Sequence, residues 1–196
     1  MSKPRDYCLK NEGEEMKTYT ASGKPFDVMN SDGDEIKIED IAHSLSMQCC
    51  WQGATPVFYS KAERSLMVAK LVYEKDILLA GSALLCYSSD AYMGGVSIDV
   101  RKATYHPSHP HLVGIDGIET RLLKRIYEAL GVDISNVQNW KTVIRATEKI
   151  RAYEEDMFFR CKPEQCLPKL YNVRSQVEAK EDFLKAAKRF GVIKGD

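Results

Sequence analysis

Several stretches carry side chains able to do chemistry. Ser88, Ser89 and Asp90 put two hydroxyls and a carboxylate at the polar end of an otherwise apolar run, Ile77 to Tyr92. In an enzyme, that is where a site would be placed. Asn30 to Asp34 opens like a calcium-binding loop, but Ile41 stands at the twelfth position where a bidentate Glu is required, so it reads as a plain turn. His106, His109 and His111 fall within Thr104 to His111, a loop broken by prolines with no Cys or carboxylate adjoining them. Prolines fix the backbone, so this reads as a His-rich loop rather than a zinc site, and its role is left open. Cys161 and Cys166 lack a second Cys/His pair at ligand spacing. With Cys8, Cys49, Cys50 and Cys86 they read as structural or incidental thiols. No metal and no cofactor is expected.

The whole chain bounds what such residues can serve. At 196 residues it is long enough for one domain with a proper core, and 44% apolar content is that of a soluble globular protein. The 28 basic and 28 acidic residues cancel, so no global field draws the chain to nucleic acid or to an anionic membrane. No apolar run reaches the roughly 18 residues of a membrane span, and Met1 to Asp6 has no signal-peptide character, which points to the cytoplasm.

Hydrophobic periodicity supplies the elements. Residues 1–15 carry none and are expected to be poorly ordered. Met16 to Met29 holds two short β-prone runs around Ser22-Gly23, the pattern of a small hairpin. Helices are expected from Glu39, with Ile41, Leu45 and Cys49 inward; from Ser60 as N-cap with Glu63 closing a capping box; and through the buried run to Gly94-Gly95. Others are expected over Asp116 to Leu130, Val137 to Phe159 and Gln176 to Phe190. His43 reads as a solvated or core-edge histidine. The expected core includes Ile41, Leu45, Leu66, Val68, Ala69, Leu78, Leu79, Ala83, Leu84, Val143, Ile144 and Ile150. Residues 161–196 form a loop and an amphipathic helix packed on the 16–160 domain.

Taken together, Lys37 to Cys49, Phe58 to Ser65, Ala83 to Tyr92 and Arg145 to Glu148 resemble HD-domain phosphohydrolases, in their bacterial and phage 5′-deoxynucleotidase branch. Met16 to Tyr19 and Ser22 to Phe26 are similar to the opening of that branch. The resemblance implies an all-α, HD-domain-like helical bundle with a small N-terminal β-hairpin. It also implies hydrolysis of nucleoside monophosphates by a divalent metal held by a His, an adjacent His-Asp pair and a distant Asp. Such ligands acidify a metal-bound water and neutralise phosphoryl charge.

This chain departs from that pattern at every ligand position. Arg64 stands for the first His, Cys86-Tyr87 for the His-Asp pair and Lys141 for the distant Asp, seven residues before Glu148. Cys50 replaces a phosphate-contacting Arg and Ala54 a His. Asp90 stands for the first of two further acids, and Gly95 for the second. The exchange moves the site about four charge units positive, and each like-charge contact at about 4 Å costs on the order of 4 kcal/mol. The resemblance therefore implies a catalytically inactive pseudoenzyme of phage or prophage type, binding a host factor or a phosphorylated small molecule. Arg64 and Lys141, with Tyr87 beside them, would grip an anion in one cavity edged by Cys50 and Asp90. In a second reading Arg64 pairs with Asp90 and the old pocket is filled by side chains. A third is an active nucleotide phosphohydrolase working through a non-standard set drawn from His43, His106, His109, His111, Glu63 and Asp90. A protein partner and a homodimer are both compatible with the sequence.

Overall fold

The computed structural model describes residues 17–96, 115–133, 137–161 and 172–192. The expectations for residues 1–15, for Ser97 to Lys102, for His106, His109 and His111 and for Cys166 lie outside these.

Thr18–Tyr19 (β1) and Pro25–Phe26 (β2) pair antiparallel, with Thr18 opposite Phe26. Gly23, at φ +75°, makes the turn between them possible without a steric cost. The hairpin is tied to the helices at two points. Asp40 accepts from the Ser22 backbone N–H at 2.7 Å and from its hydroxyl at 3.0 Å. Phe26 stacks on Tyr92 with ring centroids 4.1 Å apart.

The first helix, α1, runs Ile38–Met47 and buries Ile38, Ile41, Ala42 and Leu45. Its acidic first turn, Glu39 and Asp40, suits the positive end of the helix dipole. The second, α2 (Lys61–Tyr73), starts at Ser60, whose hydroxyl accepts the Glu63 N–H at 3.1 Å. The reciprocal half of the expected capping box does not form, because the Glu63 carboxylate is turned inward to another partner.

The apolar run that follows is not one helix. It is a 3-10 turn at Ile77–Leu79, then α3 (Ala80–Leu84), then turns, then α4 (Asp90–Met93). The break has a local cause. Ser88 Oγ donates to the Leu85 carbonyl at 2.7 Å, an alternative partner that competes with the helical ladder. Burial is nonetheless as the composition demands, with every residue from Leu79 to Leu85 inside.

Three longer helices complete the bundle: α5 (Ile115–Ala129), α6 (Val137–Glu155) and α7 (Gln176–Arg189). The last turn of α6 widens into a π-helical segment, Asp156–Arg160. A complete capping box between Ser175 and Glu178 opens α7, which lies against α1 and α2. Helix α2 also packs on α3 and α6, and α1 on α4. One apolar cluster runs through all of them, from Phe26 of the hairpin to Phe183 within α7 and Val192 beyond it. The protein is all-α with a small N-terminal hairpin. No helix among the described residues is long and apolar enough to cross a membrane.

Three expected core residues are displaced. Leu66 is half-buried, Ile144 is 40% exposed and Leu78 is 88% exposed. Leu78 lies in the 3-10 turn, whose tighter winding gives the core to Leu79 instead. At Ile144 the inward position is taken by its neighbour Val143. Cys49 lies past the end of α1, in an isolated bridge with Ser60. Cys49, Cys50 and Cys86 are free thiols, whereas Cys161 is disulfide-bonded, which corrects the thiol reading there.

Leu84→Ala should therefore cost about 2–5 kcal/mol of stability in urea denaturation. Leu78→Ala, six residues earlier in the same apolar run, should cost less than about 0.5 kcal/mol.

Candidate functional site

The first turn of α2 sends three charged side chains inward. Successive residues of a helix point about 100° apart, so Lys61, Glu63 and Arg64 face three different neighbours. Lys61 meets Asp90 of α4 at 2.6 Å, Glu63 meets Arg174 ahead of α7 at 3.3 Å, and Arg64 meets Glu154 of α6 at 2.5 Å.

The Arg64 pair is the most enclosed. Glu154 is wholly buried, 0% exposed, and its carboxylate receives four donors. Arg64 Nε donates to Oε1 at 2.9 Å and Nη2 to Oε2 at 2.5 Å, the planar fork meeting the carboxylate along both edges. The Tyr59 hydroxyl donates to Oε1 at 2.9 Å and the Trp51 indole N–H to Oε2 at 2.9 Å. A carboxylate has about four acceptor sites, so this one is saturated. The guanidinium also lies over the rings of Trp51 and Tyr87, 5.7 Å from each centroid. That is within the range of a cation–π attraction.

The surrounding groups are held in their neutral forms. Burial pushes the Cys50 thiol up to about 12, against the pull of Arg64, and raises Cys86 as well. Burial likewise raises Tyr87 and Tyr59, and for Tyr59 the neighbouring Glu154 charge adds to it. Neither thiol is a nucleophile at neutral pH. Burial opposes the Arg64 charge, but its hydrogen bonds to Glu154 and the charges of the surrounding acidic groups together outweigh that, and the guanidinium stays protonated. The loop carrying Trp51 is strained to serve this centre. Trp51 at φ 53° and Gln52 at φ 51° both sit in the left-handed region, a cost of order 1–3 kcal/mol each.

The other two pairs are simpler. Lys61 Nζ fills the space beside Gly95, where a Cβ would come within 1.7 Å of it. A side chain at position 95 would require the Lys61 amine to shift. Arg174 donates to Glu63 through its backbone N–H and its guanidinium, and also to Asp182 of α7 at 2.8 Å. Burial raises the Glu63 carboxyl above its ordinary value of 4.5, more than Arg174 lowers it.

The structure brings Arg64, Cys50, Cys86 and Tyr87 near one another, an arrangement the resemblance implied, and other expectations need correction. Asp90 is not the partner of Arg64, since Lys61 holds it. Lys141 does not join the cavity. It is exposed, and it lies 13 residues before Glu154 on α6, about 20 Å along the axis at 1.5 Å per residue. One cation, already neutralised, therefore stands where two free ones were expected. His43 is exposed on α1. Sequence reasoning missed Glu154, Trp51, Tyr59 and Lys61. The signal for Glu154 was present, because it falls on the apolar stripe of α6 with Val143, Ala146, Ile150 and Met157. An anion on a core face requires an internal cation.

No protein-family model matches the chain, and no curated protein matches it. Arg64, Lys141, Cys86 and Tyr87 do not suit a divalent metal, because two are cations and the other two are a thiol and a phenol held protonated by burial. Among the described residues, no three His, Cys, Asp or Glu side chains converge as a ligand set.

Removing one partner of a buried pair strands the other charge. Arg64→Met and Glu154→Leu should each cost about 3–5 kcal/mol, while the double variant should recover most of that loss, as read by chemical denaturation. Glu63 gives a pH test. The folded state holds its proton more tightly than the unfolded chain does, so the stability from its raised value is complete below 4.5 and is lost as pH rises through the folded value. Relative to Glu63→Gln, the parent should gain in melting temperature as pH falls from 7 towards 4.5.

Proposed function

We propose that this protein is a catalytically inactive HD-like pseudoenzyme whose work is interaction with a partner rather than hydrolysis. The observation that carries the reading is the saturation of Glu154 by Arg64, Tyr59 and Trp51. The resemblance puts Arg64 at a metal-ligand position. There the chain has a closed ion pair in which each charge is compensated and every acceptor is used. Such a centre has no open coordination position and no base poised against a water.

The same geometry weighs against the anion-binding reading. Phosphate binding at Arg64 would have to displace a carboxylate that makes two charge-assisted bonds to it, and Lys141 is too distant to add a second cation. The protein then uses the bundle as a scaffold, and its partner meets the outer surface. On the resemblance to the bacterial and phage branch, we take a host factor as that partner.

The test pairs an assay with a binding measurement. Purified protein with added manganese, cobalt or nickel should release no phosphate from a panel of nucleoside monophosphates. Calorimetry with the same panel should show no binding at millimolar concentration. Metal-dependent turnover would overturn the pseudoenzyme reading, and nucleotide binding abolished by Arg64→Ala would overturn the filled-site reading.

A further inference from the structure

A cleft of about 280 Å³ opens where the hairpin meets α1 and α4, away from the Arg64 centre. Its walls include Tyr19, Asp40, His43, Gln48 and Tyr92. We propose that it binds an organic cation, an alkylammonium or guanidinium group of the kind borne by lysine and arginine side chains.

Two observations point to a ligand of that charge. Asp40 is 5% exposed, and among the described residues no Lys, Arg or His pairs with it. Its oxygens take two hydrogen bonds from Ser22, which leaves about two of its acceptor sites open. Every other buried carboxylate described above, at Glu63, Asp90 and Glu154, has a cation of its own. Tyr92 is the second observation. It is 7% exposed, and its ring lines the cleft together with Asp40. Burial and then the Asp40 charge raise the ionisation of its hydroxyl well above the usual range, against a backbone hydrogen bond from the Lys37 amide, so it stays a phenol.

The remaining wall suits the same ligand. Tyr19 is 74% exposed, and with Tyr92 it supplies a second aromatic ring to the cleft. Aromatic rings flanking a carboxylate are the arrangement that attracts an ammonium or guanidinium, since ring faces and carboxylate are all electronegative. Gln48 is already committed, donating to Ser44 and to the Asp90 carbonyl, and so fixes the cleft's inner edge. The Asp40 bonds to Ser22 hold the hairpin in place, so the group that attracts the cation also builds the wall beside it.

Full-length protein should be titrated at pH 8 with n-butylammonium, n-butylguanidinium and the capped peptide acetyl-Gly-Arg-Gly-amide, observed by amide chemical shifts. Saturable shifts at residues 19–21, 40–48 and 91–92 are expected with the cations and none with butanol. A peptide affinity about tenfold above that of the free guanidinium would identify a polypeptide side chain as the natural group, and equal affinity a free small cation. Asp40→Asn retains acceptors and donors for Ser22 and should lower affinity at least tenfold. Tyr92→Phe, which keeps the ring and deletes the hydroxyl, should bind about threefold more weakly. The absence of binding at about 10 mM, or unchanged affinity in whichever of these variants folds, would overturn the proposal.

Discussion

Three ion pairs leaving one helical turn hold this bundle in register. Lys61, Glu63 and Arg64 occupy the start of α2, and each reaches a different part of the chain: α4, the approach to α7, and α6. Apolar packing alone would tolerate sliding of these helices past one another, because dispersion and burial are non-directional. A buried charge cannot slide without losing its partner, and the penalty for a stranded ion is several kcal/mol. The pairs therefore set where α4, α6 and α7 sit against α2, even where, as at Glu63, burial opposes the charge itself.

That constraint also decides the chemistry of the interior. Catalysis needs an incompletely satisfied group, such as an open metal position, a free base or an unpaired donor. At Glu154 the acceptors are all spent on Arg64, Tyr59 and Trp51. Even the strained backbone at Trp51 and Gln52, a feature often found at reacting centres, here delivers an indole N–H to Glu154. The Asp40 carboxylate, which no cation among the described residues pairs, lies instead in the cleft beside the hairpin.

Much of the architecture was legible in the sequence because periodicity and caps are local signals. Ser60 caps α2 as expected, and the bounds expected for α5 and α7 fall within a residue of the observed ones. The apolar run from Leu79 to Leu85 was rightly placed inside, but its breakage was not visible, since the Ser88 hydroxyl chooses a backbone partner only once the segment is buried. The ion pairs were hidden for a different reason. Partners such as Arg64 and Glu154 are separated by 90 residues, and no local pattern joins them. Glu154 was exposed to inference only by its position on an otherwise apolar stripe. Lys141 was misplaced because correspondence of sequence position was taken for convergence in space, which helix rise along α6 does not allow.

The central claim is that Arg64 is permanently engaged by Glu154, and it can be read at the guanidinium itself. The Arg64 Nε–H resonance in nitrogen-15 NMR should be resolved and slow to exchange with solvent. It should also stay unmoved when phosphate or a nucleoside monophosphate is added. A resonance that exchanges as fast as those of surface arginines, or that shifts in proportion to added phosphate, would show an available cation and contradict the account.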